Sequence, residues 1–266
     1  MRYPLLILVA VAPALGQDKR QYHLFNPTPR EQMRALSTDR PDTTESPYTV
    51  DAGHVQVECS FVEYSRDRDT EALALAPFNF KIGLTNFADV QFVLAPYGRI
   101  DEHDGDAAEG FGDSQIRLKI NLWGNDGGDV AGAIMPFVQF PTGEREISAG
   151  KAEYGLIFPV AIALPNEFGL TVMAEFDAVR NADDDGYRLD FVHTAALGRT
   201  IVGSLGGFIE YIGVLPFGDD EEYQASLAGG FTYGVSDDVQ LDLALQAGLT
   251  DAAEDFAVLA GVSFRF

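Results

Sequence analysis

The chain has 266 residues, 46% of them hydrophobic, and a formal net charge of -23. It is long enough for one barrel or one large all-β domain, and so negative that it would repel a nucleic-acid backbone. Its one cysteine, Cys59, excludes an intrachain disulfide, and no Cys/His cluster has metal-site or haem-site spacing, so neither metal nor cofactor is expected.

Residues 1–16 read as an export signal. Arg2 gives a positive end, Leu5 to Leu15 an apolar run too short to span as a helix, and Ala14-Leu15-Gly16 a small-x-small cleavage pattern. Residues 17–52 are polar, contain Pro27, Pro29, Pro41 and Pro47, and show no periodicity. They are expected to form an irregular segment, in the periplasm or folded into a barrel.

From residue 53 to 266, segments alternate apolar with polar or small residues and are separated by turn chemistry. Strands are expected at 53–65, 71–84, 89–100, 113–123, 130–141, 152–164, 168–180, 187–199, 203–215, 223–235, 239–250 and 255–266. In the last, Phe256, Val258, Ala260, Val262, Phe264 and Phe266 share one face; Val239 to Leu249 and Tyr154 to Leu164 carry similar stripes. Short turns alternate with longer acidic connections such as 101–112, 142–151 and 181–186, as in an all-β, transmembrane, antiparallel up-and-down β-barrel of about twelve strands. The acidic connections are expected to be solvated loops rather than cation sites.

A soluble sandwich would bury its apolar stripe. Here the opposite face carries charge in mid-strand, which suits a wet lumen with the apolar stripe in lipid. The lumen candidates are Glu58, Lys81, Arg117, Lys119, Glu175, Asp177, Arg188, Asp190, Glu210, Asp242 and Arg265. They could set solute preference or only bridge one another; their slight acid excess leans toward neutral or cationic solutes. In the N-terminal segment, Asp39, Arg40, Asp42 and Glu45 could pair with them as a plug or seal. His193, on a face with Leu189 and Phe191, has no evident serine partner, so catalysis is not expected. Cys59, beside Val57 and Phe61, is expected to be inert.

Two features carry a resemblance. The C-terminal strand ending in Phe266 resembles the signature by which the barrel-assembly machinery reads outer-membrane barrels. The stretch Ser37-Thr38-Asp39-Arg40-Pro41-Asp42-Thr43-Thr44-Glu45-Ser46-Pro47-Tyr48-Thr49-Val50, followed by Gly53, His54, Gln56 and Glu58, resembles the opening motif of the phenol meta-pathway outer-membrane transporter family. That family has an aromatic residue after Pro-Asp, where this chain has Thr43. The resemblance implies a barrel in the bacterial outer membrane, among its lipid and lipopolysaccharide, that passes small, often aromatic, solutes and has no catalytic residues. The other readings are an outer-membrane barrel with a structural or enzymatic role, and a soluble periplasmic β-protein.

Overall fold

The computed structural model describes residues 19–68, 70–102, 105, 107–181, 186–218 and 222–266. The expected export signal lies outside these, as do residues 103–104, 106, 182–185 and 219–221 of the acidic connections.

The alternating segments pair with their chain neighbours and close through pairing of the last with the first, giving a twelve-stranded antiparallel barrel. The strands are β1 (Val55–Asp67), β2 (Thr70–Leu75 and Phe78–Thr85), β3 (Ala88–Leu94 and Tyr97–Glu102), β4 (Ala108–Gly110 and Ser114–Trp123), β5 (Val130–Phe140) and β6 (Glu153–Ala163). They continue as β7 (Phe168–Arg180), β8 (Tyr187–Val202), β9 (Leu205–Phe217), β10 (Gln224–Ser236), β11 (Val239–Gly248) and β12 (Phe256–Arg265). Closure removes every sheet edge, the condition for a sheet to cross hydrocarbon.

Three strands are broken near their outer ends, two of them at proline, which cannot donate to a ladder: Pro77 in β2 and Pro96 in β3. The expected loop 101–112 is correspondingly shorter, because β3 runs to Glu102 and Ala108–Gly110 pairs back onto Gly98–Ile100.

Burial is inside out for a soluble protein. Phe61, Val202 and Leu227 are 57%, 68% and 50% exposed, while Lys119 and Glu210 are 1% exposed. Apolar side chains form the outer wall and charged ones the inner wall, as lipid outside and polar contents inside require. One sector departs from this: β5 to β8 also turn Met135, Ile157, Met173 and Val192 inward, with Phe137 beside them. Pro136 and Pro159 lie in the same sector, where the β4–β5 ladder skips from Arg117 to Ile120 and the β5–β6 ladder from Gly132 to Met135.

Candidate functional site: the N-terminal segment inside the barrel

The chain before β1 enters the lumen from the end where β1 begins and β12 finishes. Two glycines allow its path. Gly53 N–H donates to Gly83 O at 2.8 Å, and a Cβ at Gly83 would fall on the Asp51 carbonyl. A Cβ at Gly261 would fall on the Arg40 guanidinium.

Asp39 is the centre of the contacts. Both of its oxygens lie 2.7 Å from Lys119 Nζ, and it also bonds Lys81. Its backbone N–H faces the Glu58 carboxylate at 3.1 Å, and Glu58 in turn bonds Lys81. Ser46 N–H closes the segment on itself by donating to Asp39 at 2.8 Å. Burial pushes the Asp39 carboxyl up, but the ammonium groups of Lys119 and Lys81 outweigh it and hold it well below the usual carboxylate range.

Arg40 donates to both oxygens of Asp242, at 2.8 and 3.3 Å, and also bonds Ser60. Farther along, Glu210 accepts from Thr43 N–H at 3.0 Å, Thr44 N–H at 2.7 Å and the Thr44 hydroxyl at 2.6 Å. Glu45 pairs with Arg117, and its N–H points at Met173 Sδ at 3.4 Å. Asn121 donates to Pro47 O at 2.9 Å and Val50 N–H to Asp89 at 3.0 Å. Near the entrance, Asp51 lies 3.3 Å from Arg34 and 3.7 Å from Arg265. Residues 39–51 therefore reach strands on all sides of the lumen.

Each lumen candidate is on the inward face, but they divide into two groups. Glu58, Lys81, Arg117, Lys119, Glu210, Asp242 and Arg265 contact the N-terminal segment. Glu175, Asp177, Arg188 and Asp190 stand nearer the outer mouth; Arg188 and Asp190 pair with each other at 2.9 Å. Asp42 corrects the expectation that all four segment charges pair with the wall. Among the described residues it makes no ion pair, and burial first, then the Glu210 charge, push its carboxyl well above the ordinary value. It sits beside acids because its backbone neighbours, not its side chain, are held by Glu210.

Sequence reasoning missed the neutral contacts. Asn121 and Asn125 hold backbone atoms of Pro47 and Thr49, and Asn86 O accepts from the Thr49 hydroxyl at 3.4 Å; nothing in the alternation distinguishes these asparagines from any polar residue. His193 is on the outer wall, 3.0 Å from the Tyr223 hydroxyl, which is 2.5 Å from the Tyr211 hydroxyl. Cys59 is on the same outward side, its thiol 3.3 Å from Ser60 O.

A barrel with an apolar exterior, a charged interior and closed pairing is an outer-membrane β-barrel of the channel and porin kind, and its place is the bacterial outer membrane. The profile of the family described as "Putative MetA-pathway of phenol degradation" matches residues 38–266, and the chain belongs to that family. An outer membrane channel from Pseudomonas putida F1 has a similar fold, with a TM-score of 0.63 at 15% identity over 86% of this chain and 100% of that one. The β domain of the Bordetella autotransporter BrkA gives a TM-score of 0.49 at 11% identity over 80% and 98%. The KdgM porin, solved with oligogalacturonate, gives 0.48 at 8% identity over 80% and 99%. A search of the curated proteins finds no match.

Proposed function

We propose that the protein is a channel for small solutes across the outer membrane, closed in this conformation by residues 38–51. The observation that carries the reading is the way that segment is held: mainly by polar and charged bonds to inward side chains, with few apolar residues, Pro47 and Val50 among them, buried along it. Water can take over each of these polar partners in a wet lumen, so the segment can withdraw once the ion pairs that hold it are weakened. An immovable seal would be expected to bury apolar surface.

The solute class follows from two supports. Withdrawal of residues 44–47 would uncover the inward apolar sector of Met135, Ile157 and Met173, a surface for molecules with an apolar body. The family's description associates its members with phenol degradation. Small aromatic or hydrophobic molecules fit both. The inward charges of β1 to β4, β9, β11 and β12 serve the seating of the segment more than ion selection. A catalytic role is disfavoured, because His193 is engaged with tyrosines on the lipid side. The terminal Phe266, whose N–H bonds Val55 O at 2.8 Å, is positioned by β1 and is our candidate for recognition by the assembly machinery.

The test is conductance in planar bilayers. The intact barrel is expected to be mostly closed, and deletion of residues 17–50 to give steady steps. Equal conductance of the two would show that the segment does not gate.

A further inference from the structure

A second segment folds into the barrel from its outer end. Residues 141–152 join β5 to β6 and turn into the mouth. The Asp113 carboxylate accepts from Gly143 N–H at 2.9 Å and from Ala149 N–H at 2.9 Å, so one side chain ties both arms of the turn. Glu144 N–H donates to Phe111 O at 2.8 Å, and Arg180 to Ala149 O at 2.9 Å. Between these ties Ile147 reaches across the mouth, its methyl carbons 3.8 Å from the place a Cβ would take on Gly98. The register puts that place on the inward face of β3, level with Ala74 of β2 and Glu63 of β1.

Behind Ile147 lies a cavity of about 370 Å³. Its inward wall is small and aliphatic: Ala72, Ala74, Gly98, Ile100, Ala257 and Leu259. This is the outer part of the same strands whose inner part carries Glu58, Lys81, Asp89 and Arg265. Of the polar groups at its border, Arg99 is taken by Asp101 at 2.7 and 2.9 Å, and the Ser65 hydroxyl by Glu254 at 2.7 Å. The Glu63 carboxylate remains partly open, with 42% of its side chain exposed; it accepts from Ser60, and Arg40 lies 3.6 Å away.

We infer that this cavity under Ile147 is a binding site for a compact, neutral, one-ring molecule carrying a single hydroxyl that donates to Glu63. An apolar cavity of about 150 Å³ already takes benzene, so the space admits a substituted ring. An anion would face Glu63 and Glu254. A cation would compete with Arg40 for Glu63, and alanine walls would not solvate it. The inference rests on the proposed transport function only in giving the site a purpose; binding itself can be measured apart from passage.

The folded barrel in detergent is titrated with 4-fluorophenol at neutral pH, with the fluorine line width reporting binding and unheated electrophoresis reporting the folded state. Saturable binding is expected, with 4-fluorobenzoate giving none. Gly98→Leu, which fills the cavity from the wall without touching residues 38–51, should weaken 4-fluorophenol binding by about tenfold or more. Gly98→Ala, whose Cβ would meet Ile147 at an ordinary distance, should stay within about twofold. Ala74→Leu fills the same space from the next strand and replaces Gly98→Leu if that variant does not fold. Unchanged affinity in the folded, filled variants, or no saturation in the unaltered protein, overturns the inference. Uptake of 4-fluorophenol into protein-bearing liposomes separates the two ideas. Uptake without saturable binding keeps the channel and removes this site; binding lost on filling, without uptake, keeps the site and removes the channel.

Discussion

Residues 38–51 and residues 141–152 both fold into the lumen, from opposite ends, and they are held differently. The N-terminal segment is fastened by charged side chains on strands that face one another across the barrel: Lys81 and Lys119 on one side, Glu210 and Asp242 on others. The outer segment is fastened to its neighbours β4 and β7, mainly through backbone groups and the one carboxylate of Asp113. A segment that must cross a wet space needs long-range, strong partners, because each neutral bond trades almost evenly with water. A loop that only leans inward from its own strands keeps its place with local bonds. The first therefore responds to salt, pH and charge substitution, and the second to loss of a single tie.

The largest effect is expected from Lys81→Met together with Lys119→Met. Asp39 would then be buried without either cation, a loss on the order of 3–5 kcal/mol, and the segment should leave the lumen. A cysteine at Ser46, in a protein with Cys59→Ala, reports this through a water-soluble maleimide added from the periplasmic side. Labelling should be slow in the parent and roughly a hundredfold faster in the double variant. Equal rates would mean that the charges do not hold the segment.

A smaller effect is expected at the other end. Asp113→Ala removes two bonds to backbone N–H groups, worth roughly 2–3 kcal/mol together because one partner is ionised. The loop contains an exposed basic residue, Arg145. Trypsin cleavage after Arg145 should become about tenfold or more faster while cleavage elsewhere is unchanged. If it does not, the loop's position owes little to Asp113.

The same contrast explains what could be read from the sequence. The strands were legible because lipid outside and polar contents inside force a period of two over ten or more residues, as Phe256 to Phe266 and Val239 to Leu249 show. The inward charges were legible for the same reason: Arg117, Lys119 and Glu210 interrupt mid-strand positions where a soluble core would not hold them. Their partners were not legible. Whether Asp39 meets Lys81, and whether Asp42 meets anything, depends on heights across the lumen that only closure of the barrel fixes. In β5, β7 and β8 the signal was blurred because Met135, Met173 and Val192 make the inward face apolar as well. Residues 141–152 look like any polar connection, since their inward turn depends on Asp113, a residue that alternation cannot single out.

The finest test concerns pH, and it acts on the N-terminal segment alone. Asp39 is held well below the usual carboxylate range, so it stays ionised throughout the neutral region and adds no pH dependence there. Glu45 differs. Burial, and then the Asp39 charge, raise its carboxyl to about 7 from an ordinary 4.5, and Arg117, Lys119 and Lys81 offset only part of this. The seated segment thus holds that proton more tightly than the released one. Its support for seating is fully present below about 4.5 and is lost as pH rises through about 7. Open probability in planar bilayers should therefore increase severalfold from mildly acid to mildly alkaline solution; Asp42, whose carboxyl is also raised, acts with the same sign, so Glu45→Gln should remove part of the profile and Glu45→Gln with Asp42→Asn should flatten it near its acid limb. Opening that instead increases toward acid, and still flattens in Glu45→Gln, would mean that the ionised Glu45–Arg117 pair, rather than the cost of burying that charge, governs the seat.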